Sequence, residues 1–257
     1  MHASPELQSN GGRPRLLLIP QLTELEWLIK PLLEEWAEVA SYDVPGVGDE
    51  PSVEDFGPEA IAERGLAELD RRGWQRCVLV LDEFGAASAT CLASSRPEAI
   101  QAVAFGHARL SNSMEGGAAA LNPEVFSACA NLVRHDTKTF VRQLFKMTQG
   151  EQMHGGYGEE LVESYLSRVP TELLAHSWES RPEAADSIGR VLRELDVPLL
   201  LAKHDGCLLF TPEGYDAAVA SFPTARTMIL SDKPSASPEF ADALRQFCAE
   251  VVPNRAA

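Results

Sequence analysis

The sequence is short of basic residues, of ordered cysteine spacing and of long apolar runs, and each shortage removes a class of function. Lys and Arg number 22 against 38 Asp and Glu, a formal net charge of -16. No Lys/Arg run could form the basic face that neutralises phosphates, so nucleic-acid binding is not expected. An anionic membrane surface is disfavoured on the same ground. The five cysteines, Cys77, Cys91, Cys129, Cys207 and Cys248, are odd in number and never spaced C-x-x-C. That pattern fits a reducing cytoplasm rather than a disulfide framework, and it removes the usual zinc signatures. No apolar run approaches the roughly 20 residues that span a bilayer. Residues 1–14 contain no apolar segment of the secretory kind. A cytoplasmic globular protein is expected, with no membrane association.

What is present is a chain of 257 residues, 45% hydrophobic, long enough for one large domain or a domain with an insertion. Short apolar runs bounded by turn residues predict strands at 16–19, 39–44, 77–81, 100–105, 198–202 and 227–230. Helical spacing predicts helices at 22–36 (with an irregularity at Pro31), 58–70, 212–221 and 238–252, and a helix of small residues from Gly85. This alternation predicts the α/β class, a mostly parallel sheet with helices on both faces. Residues 110–193 contain no convincing strand; helices are expected at 123–133, 137–148, 159–168, 171–177 and 182–195, divided by a Gly-rich polar loop at 149–158. An all-helical block inserted late in such a sheet reads as a lid over the carboxyl edge, where ligands bind. The expected organisation is a tail at 1–13, a core at 14–109 and 194–252, a lid at 110–193 and a tail at 253–257.

Several motifs fall on this frame. Tyr42-Asp43-Val44-Pro45-Gly46-Val47-Gly48 closes the second strand, Val80-Leu81-Asp82-Glu83-Phe84-Gly85-Ala86 joins the third strand to its helix, Pro198 to Asp205 forms the fifth, and Ser237-Pro238-Glu239-Phe240 opens the last helix. Taken in this order they resemble the α/β-hydrolase superfamily, from about Arg15 to Val252. The resemblance implies an α/β-hydrolase-like fold with an inserted helical lid. It also implies a nucleophile elbow of the form G-x-S-x-G between strand and helix. Matched on Gly85, the nucleophile position is Glu83 and the first glycine is Leu81. The segment after Leu230, where the family carries its histidine base, reads Ser231-Asp232-Lys233-Pro234-Ser235-Ala236-Ser237. Where the family has His-Gly for its oxyanion loop, this chain has Pro20-Gln21, so Gln21 or Leu22 would offer the backbone N–H. Asp205 matches the acid of the triad. Ser-His-Asp hydrolysis needs a hydroxyl and a base, and both are missing in this register.

Glu83 then carries two readings. As a functional carboxylate at a helix start beneath the lid, it would serve as a general acid/base, with His107 after the fourth strand as partner. As a replacement in a chain that no longer catalyses, it would cap the helix or be solvated. Asp82, Phe84 and His154 join Gln21 and Leu22 as candidate ligand contacts, with His154 in the lid loop. Three functions follow. The first is a degenerate member that binds an apolar small molecule or a partner protein, a homodimer included. The second is a cofactor-free enzyme (cyclase, isomerase, lyase or hydrolase type) using Glu83. The third, a conventional esterase, needs one of Ser88, Ser94 or Ser95 as nucleophile. Asp43, Asp82, Glu83, Asp205 and Asp232 all approach one sheet edge, yet no metal-ligand spacing supports a cation site, and neither metal nor cofactor is expected.

Overall fold

The computed structural model describes residues 12–20, 25–44, 46–47, 57–81, 85–106, 123–149, 156–179, 181–204, 212–230 and 237–252. Six strands form one sheet: β1 (Arg15–Leu18), β2 (Glu38–Ala40), β3 (Cys77–Leu81), β4 (Ile100–Phe105), β5 (Leu199–His204) and β6 (Arg226–Leu230). Their order is β2-β1-β3-β4-β5-β6, and every neighbouring pair is parallel. Successive side chains on a strand point to opposite faces, so a strand covered on both sides must be apolar throughout. The run Cys77-Val78-Leu79-Val80-Leu81 is buried at every position.

The two faces have separate cores. On one, Leu16, Leu18, Val78, Val80, Ala102, Ala104, Leu200 and Ala202 pack against Ile29 and Leu33 of α1 (Leu25–Glu34) and Phe240, Leu244 and Phe247 of α10 (Pro238–Val251). On the other, Leu17, Ile19, Leu79, Leu81, Val103, Phe105, Leu199 and Leu201 meet α2 (Pro58–Arg72), α3 (Ala86–Ser95), α8 (Arg181–Leu195) and α9 (Pro212–Ser221). Local chemistry sets the helix ends. Gly73 takes a left-handed φ of 65° and closes α2, its N–H donating to the Asp70 carbonyl while Trp74 donates to that of Leu69. Ser237 caps α10, its hydroxyl accepting from the Phe240 N–H at 3.3 Å.

A third core lies in α4 (Pro123–His135), α5 (Thr137–Gln149), α6 (Gly156–Arg168) and α7 (Thr171–Glu179). Its aromatic residues interlock: Phe140 meets Trp178 edge-on at 5.1 Å, and Phe145 meets Tyr165 at 5.2 Å. The structure differs from the sequence expectation in several places. β2 stops at Ala40 rather than at residue 44, because this edge strand pairs only with β1, through Leu17↔Ala40. α1 continues through Pro31 without a break. Within the stretch expected as an insertion, α8 packs on α3 and places Ile188, Val191 and Leu192 in a core of the sheet rather than in the core of α4–α7. Among the described residues, no helix is long and apolar enough to cross a membrane.

Candidate functional site at the carboxyl edge of the sheet

Because all strands are parallel, their carboxyl ends gather on one edge: Leu18, Ala40, Leu81, Phe105, His204 and Leu230. Register fixes how they align, with Leu81 opposite Phe105, Phe105 opposite Leu201, and His204 opposite Leu230. The ladder is carried past the strand ends by backbone bonds, from Ile19 N–H to the Val80 carbonyl at 2.9 Å and from Gly106 N–H to that of Leu81 at 2.8 Å. At β5 and β6 the Tyr215 hydroxyl lies 3.2 Å from the Leu201 carbonyl and 3.1 Å from that of Met228, so one donor ties the two strands together. Burial pushes this phenol above its ordinary pKa, and it stays a donor at neutral pH.

The connection from β3 to α3 is short in sequence. Only residues 82–84 separate Leu81 from Gly85, and α3 begins at Ala86. Gly85 has an ordinary φ of -81°, so its backbone would accept any residue. Space is what demands glycine: a Cβ there would lie 2.9 Å from Cγ2 of Ile19. Isoleucine is stiff at χ1 and buried, so it cannot swing aside cheaply. Gly85→Ala is expected to cost about 1–3 kcal/mol through overpacking, read as a lower urea midpoint at unchanged slope. Small side chains continue the theme, with Ala86, Ser88, Ala89 and Ala93 all buried along α3.

The eight residues expected at the site, Gln21, Leu22, Asp82, Glu83, Phe84, His107, His154 and Asp205, lie outside the described residues. So does the segment 231–236 that follows β6. The described residues do locate the three serines an esterase would need. Ser88 is buried inside α3, whereas Ser94 and Ser95 close that helix, next to the 3-10 turn Pro97–Ala99 that leads into β4. None of them stands at the bend after β3. Cys77 and Cys248 are buried, and burial pushes both thiols up to about 12, so neither supplies a thiolate. Of the five carboxylates considered for a cation, only Asp43 is described, and no group of three metal-ligating side chains occurs among the described residues.

Asp43 instead accepts a hydrogen bond from Nη2 of Arg168, the last residue of α6, at 3.2 Å. The two are 125 positions apart, and nothing in the local pattern of either segment announces the contact. Val44 and Val47, next to Asp43, are buried in the core of α4–α7. The helical block is therefore seated on the turn after β2, beside the carboxyl edge.

No protein-family model matches the sequence, and no curated protein matches it. Solved structures match its shape along nearly the whole length. A bromoperoxidase from Bacillus anthracis aligns with a TM-score of 0.72 at 18% identity, over 92% of this chain and 91% of that one. The enol-lactonase from Burkholderia xenovorans LB400 gives 0.68 at 18%, over 95% and 93%. An alpha/beta hydrolase enzyme from a Medee basin deep-sea metagenome library gives 0.69 at 14%, over 95% and 91%. At these identities the likeness is one of fold, and fold alone does not carry function. The chain has the α/β-hydrolase fold.

Proposed function

We propose that this chain binds an apolar small molecule between the carboxyl edge of its sheet and the helical block, which serves as a lid, without Ser-His-Asp hydrolysis. The observation that carries this is the frame around residues 82–84. With β3 ending at Leu81 and Gly85 wedged against Ile19, the bend consists of Asp82, Glu83 and Phe84, which offer no hydroxyl or thiol nucleophile. A histidine base is missing from residues 231–236 as well. Hydroxyl attack needs a base to take the proton, and neither segment offers the groups for it. The activities of the structural neighbours belong to those proteins; what supports binding here is the general tendency of parallel sheets flanked by helices to take ligands at their carboxyl edge.

The test is native mass spectrometry of the purified protein. A small molecule should leave the protein chemically intact on mild denaturation, and adding it back at about 100 times its dissociation constant should stabilise the fold by about 2.7 kcal/mol. Its recovery only as a hydrolysed fragment would contradict the proposal. A second reading, in which Glu83 acts as general acid/base, is favoured by the carboxylate at the bend itself. Glu83→Gln keeps the shape and removes the exchangeable proton, so it should abolish any turnover while leaving ligand retention unchanged.

A further inference from the structure

The chain crosses from one core to another over a few residues after β2. Tyr42 packs against the core of the sheet, on the face of α2 and α3. Val44 and Val47 belong instead to the core of α4–α7, at 3% and 5% exposure, where Ile61 of α2 joins them. Asp43 sits at the crossing point and takes the Arg168 hydrogen bond from α6. On the α8 side, Ile188, Val191 and Leu192 lie in the sheet core, and the helix also touches α4 and α7. Among the described residues, the turn after β2 holds the block through two valine side chains and one ion pair about one-third exposed, beside Ile61 of α2 and the contacts of α8.

We propose that the turn carrying Asp43, Val44 and Val47 is a strap that sets how readily α4–α7 open from the carboxyl edge. This holds whether or not the ligand proposed above exists, because it concerns the apo protein. Opening exposes Val44 and Val47 and separates Asp43 from Arg168 while leaving β3, β4 and α8 in place. Proteins open in such contiguous units at free energies below that of global unfolding. An ion pair about one-third exposed is worth little, so the valines carry most of what the turn contributes.

Native-state amide exchange on the full chain without ligand tests it. In Val47→Ala, amides of α5 and α6, such as Leu144 and Val162, should exchange about tenfold faster or more, while Leu79, Val80, Val103 and Ala104 of β3 and β4 stay within about twofold. Asp43→Asn should accelerate the same helical set by about two- to fivefold, and salt should reduce the difference between Asp43→Asn and wild type. Equal acceleration of sheet and block would make the turn an ordinary part of one cooperative unit and overturn the proposal. Unchanged exchange in the block in both variants would overturn it too.

Discussion

Phe105→Ala is expected to cost about 3–5 kcal/mol of stability, enough to consume a large part of the margin of a typical domain. Phe105 ends β4, is fully buried, and lies opposite Leu81 on one neighbour and Leu201 on the other. Its ring lies in the core between the sheet and the helices on the α2, α3, α8 and α9 face. Truncation removes the ring's transfer free energy and leaves a cavity between the sheet face and its helices, which close-packed neighbours collapse only partly. Urea unfolding should show the loss as a lower midpoint with the slope retained. A cost below about 1 kcal/mol would mean that the edge repacks easily and that its geometry is not the rigid frame described above.

A second large loss, again about 3–5 kcal/mol, is expected for Tyr165→Ala in α6. Tyr165 is fully buried and meets Phe145 of α5 edge-on, with ring planes 84° apart. An aromatic pair of this geometry adds about 0.5–1.5 kcal/mol to the area it buries. The two substitutions should differ in where the damage falls. Phe105 sits in the sheet's core and Tyr165 in the core of α4–α7, so the second should loosen the helical block ahead of the strands. Amide exchange separates the two patterns: α4–α7 affected first in Tyr165→Ala, and β3 and β4 affected with the rest in Phe105→Ala.

How far the fold could be read from the sequence depended on where each element sits. β3 and β4 stand inside the sheet, must be apolar on both faces, and occupy 77–81 and 100–105 as the runs predict. β2 stands at the edge, and Tyr42 and Val44 look like strand residues although they turn away to two different cores. β5 runs on to His204 because backbone pairing with Ile229 and Leu230 continues past the apolar run, a polar end that hydropathy truncates. The helical periodicity of α8 could not tell which core it faces, since an apolar stripe fits either one. Gly85 was legible as the glycine of the bend, but the reason for it, the methyl of Ile19, is a tertiary contact. Arg168 gave no signal, because a basic residue in the last turn of a helix is common with or without a partner.

Asp82, Glu83 and Phe84, between Leu81 and Gly85, offer no hydroxyl for a nucleophile in the proposed reading. Exposing the native protein to a fluorophosphonate probe, with intact mass as the readout, decides the matter. The mass should remain unmodified after prolonged exposure. Stoichiometric addition of one phosphonyl group on a serine would contradict that reading.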